Sequence, residues 1–473
     1  MDLKKKSQTM DMTKGSPTSL LLRFAMPLFL GNLLQQFYNL VDTSIAGNLL
    51  GDGALAQIGA TAALYSLITN FAFGMNNGLA LGVSRNFGAG DQQGVKKSVC
   101  WMTCLSCFCS VVLTVAFLIF RKGLLQVMQI PDDVMDGALR YLTIILAGIP
   151  LTMLYNLEAS LLQAVGNSVM PLVFLLFSSV LNVGLDFWFM GPLGLGVQGA
   201  ASATVLAQGI SAGIGLGYIV RYYPELRFSK NEFKVKKNFV IEMFFSGLSM
   251  GMMNAIYCIG SVILQSSINA LGSVYIAAQV GGRRLAELFY IPGLALGTST
   301  AIYASQNYGA GLGKRIRRGC RTAILLYGIW WIIALMFTFT LAPAAIRLLT
   351  GSSNPEVISN GLLYLRVSIP MIPPMAVLVI LRNALQGMQH LKAPLICSTL
   401  ELIGKVIFAI WLLYRRMHLR TCDVGDLLCV YCRGCGGFPE GVSDSRVTGY
   451  IPFRSFAYTV KKRLRGLGSE RLY

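Results

Sequence analysis

Charge is what this sequence has least of. Only 13% of its 473 residues are Asp, Glu, Lys or Arg, against 54% that are hydrophobic. A water-soluble domain usually carries about 25% charged residues, so this chain cannot cover a soluble surface. Histidine is nearly missing, with two in the whole chain, which argues against histidine-rich metal chemistry and against a histidine-based hydrolase. No nucleophile–base pair or metal-ligand motif stands out, so a membrane-embedded enzyme is not the reading. The eleven cysteines form no disulfide framework. Cys100, Cys104, Cys107 and Cys109 fall in one apolar stretch and read as small helix-packing residues. The one excess is positive charge, net +19. Nucleic-acid binding is not expected from it, because the basic residues lie in short runs between apolar stretches, as lipid-spanning chains place them.

Those stretches are long. A spanning helix needs about 20 mainly apolar residues, and candidates lie near 20–46, 54–83, 98–120, 138–161, 168–190, 196–220, 239–268, 274–303, 321–343, 360–385 and 394–413. A barrel is excluded, since its strands alternate with period two. The polar segment Met1–Pro17 is no signal peptide, because the apolar run behind it reaches Ala46. Basic loops (Lys4 to Arg23, Arg85 to Lys97, Arg221 to Lys237, Lys314 to Arg321) alternate with nearly uncharged ones (Gly191 to Gly196, Ala270 to Ser273). The basic loops should face the cytoplasm, which puts the N-terminus inside and the chain in the plasma membrane. Arg121 and Lys122 break the pattern and are offset by Asp132 and Asp133.

The chain repeats itself. Asn86-Phe87-Gly88-Ala89-Gly90 recurs as Asn307-Tyr308-Gly309-Ala310-Gly311. Leu162-Gln163 and Pro171-Leu172 recur as Leu385-Gln386 and Pro394-Leu395, and Tyr141-Leu142 with Pro150 recur as Tyr364-Leu365 with Pro373. The offset is 221 to 223 throughout. Six spans per repeat leave the halves parallel, about an axis normal to the membrane, with a central cavity between them. The expected fold is an all-α polytopic membrane protein of two six-helix bundles. Its parts are a cytoplasmic tail (1–17), an N-half (18–222), a basic linker (223–238), a C-half (239–413) and a basic tail (414–473).

The repeat calls for a twelfth span after residue 413, and none follows. The tail carries Arg415, Arg416, Arg420 and Arg433. After eleven spans it would be extracellular, against the charge rule. Cys422, Cys429, Cys432 and Cys435 resemble part of a zinc site, but a frame-shifted C-terminus accounts for more: codons for Met417 to Val424, read one nucleotide later, can encode the apolar Cys-Ile-Cys-Glu-Pro-Val-Thr-Trp.

Ionisable groups inside lipid are costly and mark ion or substrate paths. Gln35, Tyr38 and Asp42 share one face of the first span, Asn182 and Asp186 are i and i+4 in the fifth, and Thr204 and Gln208 are i and i+4 in the sixth. The fourth span adds Asn156, Glu158 and Gln163. For Thr204, Gln208 and Gln163 alone, hydrogen-bonded helix glue is the stronger reading. The two aspartates differ, because neither has a basic residue one turn away. If they converge they repel, and a bound proton or small cation relieves this. In the C-half, Lys405 takes the place of Asn182 with Glu401 one turn before it, which reads as a structural ion pair. Arg382 either lines the cavity or anchors its helix end.

At these residues the sequence resembles the multidrug and toxic compound extrusion (MATE) family, in the bacterial branch that includes many Gram-positive multidrug pumps. The matching stretches are Gln35 through Asp42, Asn86 through Gly90, Asn182 with Asp186, and Gly199-Ala200-Ala201 with Thr204; the likeness covers roughly residues 15 to 413. It implies twelve helices in two lobes and a cation site at Asp42, Asn182, Asp186 and Thr204. The second-lobe acidic pair of some members is not evident. The expected function is a secondary antiporter that exports amphipathic, cationic or neutral small molecules in exchange for H+ or Na+. Gln35, Tyr38, Asn156, Gln163 and Gln208 would line the cavity. The only expected partners are such substrates and the bilayer; no cofactor is expected, and the protein is expected to be monomeric. The alternative is a lipid-linked oligosaccharide flippase, which should carry several cavity-facing Arg or Lys that the N-half spans lack. A passive channel fits less well, since duplicated bundles with buried carboxylates favour alternating access.

Overall fold

The computed structural model describes residues 9–128, 130–269, 273–350 and 355–418. The tail from residue 419, with its four cysteines and the proposed shift of frame, lies outside the described residues, as do 270–272 of the second uncharged loop. Among the described residues the structure is helical with no strand: α1 (Pro17–Gly88), α2 (Gln92–Val127), α3 (Asp132–Ala147), α4 (Ile149–Ala164), α5 (Val169–Met190), α6 (Val197–Tyr222), α7 (Lys237–Asn269), α8 (Ser273–Gly309), α9 (Gly313–Thr340), α10 (Ala342–Thr350), α11 (Pro355–Ser368), α12 (Ile372–Gly387) and α13 (Lys392–His418).

Element by element these are the expected spans, with three adjustments. The first two are one unbroken run of 72 residues. At 1.5 Å per residue that is about 108 Å, more than three times a hydrocarbon core. The run breaks at Gly51, whose φ of 79° and ψ of −177° no side-chain-bearing residue adopts cheaply, so α1 is two arms and two crossings. The fourth span is α3 and α4, bent by 47° at the Gly148–Pro150 corner. Its repeat is α11 and α12 around the turn Ile369–Met371, which also holds a proline. Pro150 and its counterpart Pro373 both stand in the first turn of the second arm, where a proline has no N–H to carry the helix ladder across the corner. Counted this way, the described residues make eleven crossings. α10, nine residues long, is too short to be one.

The outer surface is apolar. Ile119 of α2, Leu325 of α9 and Ile407 of α13 are 69%, 69% and 63% exposed, affordable only where lipid replaces water. The protein is a multi-pass membrane protein. Of the four cysteines on α2, Cys100 and Cys109 are buried and Cys107 faces outward; all are free thiols. The linker runs through two short turns, Pro224–Leu226 and Lys230–Phe233. Ser229 and Glu232 cap the second turn reciprocally, and the Ser229 hydroxyl and N–H hold the Glu232 carboxyl below its ordinary range. Phe233 stacks edge-on against Trp101 of α2.

The halves meet at the end that carries the basic loops, and they meet reciprocally. Ser84 Oγ donates to Ile302 O (3.4 Å), and its repeat counterpart Ser305 donates to Leu81 O (2.9 Å). A Cβ on Gly88 would sit 2.1 Å from Gln306 O, and one on Gly309 would sit 1.9 Å from Arg85 O. In each pair the second contact is the first moved by 221 residues on both sides. Only a two-fold relation between parallel halves gives contacts of this form.

One element breaks the symmetry. Residues 9–16 are wedged between the halves. Met12 is fully buried. Its N–H donates to Gln306 Oε1 (2.9 Å), and its carbonyl accepts from Asn307 Nδ2 (3.1 Å) and Arg315 Nη2 (3.2 Å). Arg315 also donates to Gly15 O. On the opposite side, Met10 O lies 2.3 Å from where Gly166 would carry a Cβ.

Candidate cation-coupling site

Asp42 lies nine residues before the break in α1, on the face that meets α5 and α6. Asp186 and Asn182 sit one turn apart on α5, and Thr204 follows the small-residue run Gly199-Ala200-Ala201 that lets α6 approach closely. Asp186 is fully buried, Asn182 is 1% exposed and Thr204 is buried. The Asp42 and Asp186 carboxyls lie close enough to act directly on each other, and two carboxyls can share a hydrogen bond only with a proton between them. Each keeps one buried oxygen, Oδ1 in both, with no partner. Neither forms an ion pair among the described residues.

Asn182 organises the rest. In the amide orientation that satisfies it, its nitrogen donates to Asp186 Oδ2 (2.9 Å) and the Tyr38 hydroxyl (3.0 Å), and its oxygen accepts from Thr204 N (3.1 Å). Tyr38 also hydrogen-bonds Thr204. The Thr204 hydroxyl donates to Ala200 O. The structure thus brings Tyr38, Asp42, Asn182, Asp186 and Thr204 into one cluster, walled by Ile45, Ala46, Tyr141, Ile145, Ala200 and Ala201.

The other polar residues are spread out. Gln208 is one turn along α6, accepting from Thr152 Oγ1 (2.6 Å) and lying beside Tyr65. Gln35 donates to Asn39 and Asn156 to Thr152 O, each on its own helix. Gln163 is buried near the other end of α4, its Oε1 unpartnered. Sequence reasoning missed Tyr65 and Thr152. Tyr65 has no polar neighbour at helical spacing that points at Asp42, and it reaches the site only because α1 folds back at Gly51.

The C-half has an ionic cluster at the matching depth. Lys405 Nζ lies 2.8 Å from Glu401 Oε1, and Arg382 Nη1 lies 3.6 Å from Glu401 Oε2. Lys405 is 3% exposed, and its ammonium sits over the Tyr257 ring, 4.4 Å from the centroid. Arg382, left open by the sequence, shares Glu401 and reaches Ser398 Oγ (3.4 Å).

Among relatives, the chain is 27% identical over 360 residues to the "Probable multidrug resistance protein YpnP" of Bacillus subtilis, covering 75% of this chain and 79% of that one. It is 24% identical to the "Probable multidrug resistance protein NorM" of Thermotoga maritima, covering 73% and 75%. Among solved structures, an "Outward-facing conformation of a multidrug resistance MATE family transporter of the MOP superfamily" superposes with a TM-score of 0.85 at 21% identity, over 99% of this chain and all of that one. The sequence model of the MatE family matches twice, at residues 27–188 and 249–411. The two matches are spaced as the repeated motifs are and hold both the Asp42–Asp186 pair and the Glu401–Lys405 pair, and the chain belongs to the MatE family.

Proposed function

We propose that this transporter is an antiporter that exports amphipathic, cationic or neutral small molecules, driven by inward movement of H+ or Na+. The observation that carries the reading is the Asp42–Asp186 pair: two neighbouring carboxyls inside the membrane, with one unpartnered buried oxygen each and no basic residue paired with them among the described residues. Such a pair cannot hold two negative charges cheaply and takes up a cation. Asn182 and Thr204 fix the geometry and offer neutral oxygens. Binding and loss of the cation alter the contact of α1 with α5 and α6, and so the shape of the N-half wall. The positive charge of the basic loops favours the cytoplasm for the joined end. The names of the relatives, multidrug resistance proteins, support drugs and toxins as substrates. The flippase reading is not favoured: the two intramembrane cations of the C-half cluster converge on Glu401 instead of standing free for a pyrophosphate.

The test is accumulation of a fluorescent cationic dye in everted membrane vesicles, with H+ and Na+ gradients imposed separately. One gradient alone should drive uptake, and Asp42→Asn and Asp186→Asn should each abolish the driven component with expression retained. Full gradient-driven uptake in both variants would sink the assignment.

A further inference from the structure

A third carboxyl is buried in the N-half. Glu158 of α4 is 2% exposed. Its Oε1 is buried with no hydrogen-bond partner. Its Oε2 is packed so tightly on α6 that a Cβ on Gly215 would lie 2.2 Å away. The groups around it are neutral. On its own helix Tyr155 is near enough to feel its charge. From α5 comes Phe174, packed at the same Gly215 position and edge-on to Tyr218 of α6. The polar groups of the neighbouring helices are bonded elsewhere, Asn76 to Ser106 of α2 and Met153 O, and Asn77 to Ser160. Among the described residues no Lys, Arg or His pairs with it. A permanent carboxylate in such surroundings would be very costly, so Glu158 is at rest as an acid.

Its position gives that acid a role. On α6, Thr204, Gln208, Ser211 and Gly215 follow at intervals of four, three and four residues, which is one stripe of the helix. Thr204 belongs to the aspartate cluster, Gln208 takes the Thr152 hydroxyl, Ser211 is fully buried with its hydroxyl on Phe174 O, and Gly215 meets Glu158. The stripe spans about 16 Å along the helix. From Glu158 to the basic-loop end of α4 is about 9 Å more. We propose that Glu158 is a second proton-binding group, which receives the proton that the Asp42–Asp186 pair gives up and releases it at the basic-loop end.

The step balances without any other reactant. Loss of a proton leaves one further carboxylate at the aspartate pair, and the proton neutralises a Glu158 carboxylate formed by its previous release to water. The inference rests on the proton form of the proposed antiport. The substituted amide keeps the shape and cannot exchange a proton, so Glu158→Gln separates this role from packing.

The experiment is infrared difference spectroscopy of the purified full chain in lipid across steps of pH, paired with H+-driven dye efflux. Of the carboxylic C=O bands of the resting protein, one should be missing in Glu158→Gln and kept in the Asp42→Asn/Asp186→Asn double variant. Driven efflux should fall by at least about tenfold in Glu158→Gln and recover in part in Glu158→Asp. A full set of carboxyl bands in Glu158→Gln, or wild-type driven efflux, overturns the proposal. Should Glu158→Gln fail to fold, Glu158→Asp must shift the band, and an unshifted band overturns it equally. Driven efflux that survives loss of both aspartates while the Glu158 band stands would refute the coupling pair alone.

Discussion

Lys405 stands at the repeat position of Asn182, and the exchange of an amide for an ammonium decides what each half can hold. In the N-half the amide leaves two carboxyls with no fixed cation paired to them among the described residues. In the C-half the cation is tethered, Asp42 is replaced at the repeat position by Leu264, and Glu401 is neutralised on the spot. Breaking one side of a buried pair leaves a lone charge, whereas removing both does not. Glu401→Gln should therefore lower stability by about 3 kcal/mol, since it strands Lys405 and Arg382 together, and Glu401→Gln/Lys405→Met should recover part of it, with Arg382 alone left unpaired, measured by thermal unfolding in detergent. A double variant that folds normally yet loses gradient coupling would refute a purely structural role. At this scale the sequence said much about the N-half, because an aspartate in an apolar run is conspicuous and a helical period puts its neighbours on the same face. It said little about Arg382, whose partner is on another helix, 19 residues on, and nothing about Tyr65.

At the scale of elements, most of what the structure shows was legible as hydrophobic length: a span announces itself by twenty apolar residues, whatever it packs against. The ends and breaks were less so. Glycines are plentiful here, and nothing local separates Gly51, which turns α1 back on itself, from its neighbour Gly53. The two uses of glycine separate by experiment. A Cβ at Gly51 would meet nothing within 4 Å, but the φ of 79° is strained for any other residue. Gly51→Ala should cost about 1–3 kcal/mol, and Gly51→Asn no less, because at a ψ of −177° this is the glycine-only region and not the left-handed helical one that asparagine tolerates. Gly88 and Gly309 have ordinary backbone conformations, and their replacement meets the other half's carbonyl. Gly88→Val and Gly309→Val should each hold the halves apart at the basic-loop end and do so to a similar degree, because the contacts are counterparts. Cysteine accessibility at Ser84→Cys or Ser305→Cys would show it; a rise in one glycine variant and not in the other would contradict the two-fold geometry.

For the whole molecule, the N-terminal residues are the part no periodicity could have placed. Segment 9–16 has no span-like length and no helical stripe, yet its backbone is held by Gln306, Asn307 and Arg315 across the seam. Those four bonds cannot survive separation of the halves at that end. Gln306→Ala and Arg315→Ala should shift the resting population toward an open basic-loop end, seen as faster labelling of a cysteine at Met12; unchanged labelling would show that the segment follows the seam passively. The seam also records descent. Two separate copies of a half-length chain, paired about the same axis, would make the Ser84 and Ser305 bonds and both glycine contacts with a single sequence. Fusion into one polypeptide released each copy to drift alone. Arg85 now faces the other half where its counterpart is Gln306, and Gln389, at a φ of 60°, fills the left-handed turn that Gly166 fills in the first half. Two facing carboxyls in one bundle and a tethered ammonium in the other are the same divergence, carried into the membrane.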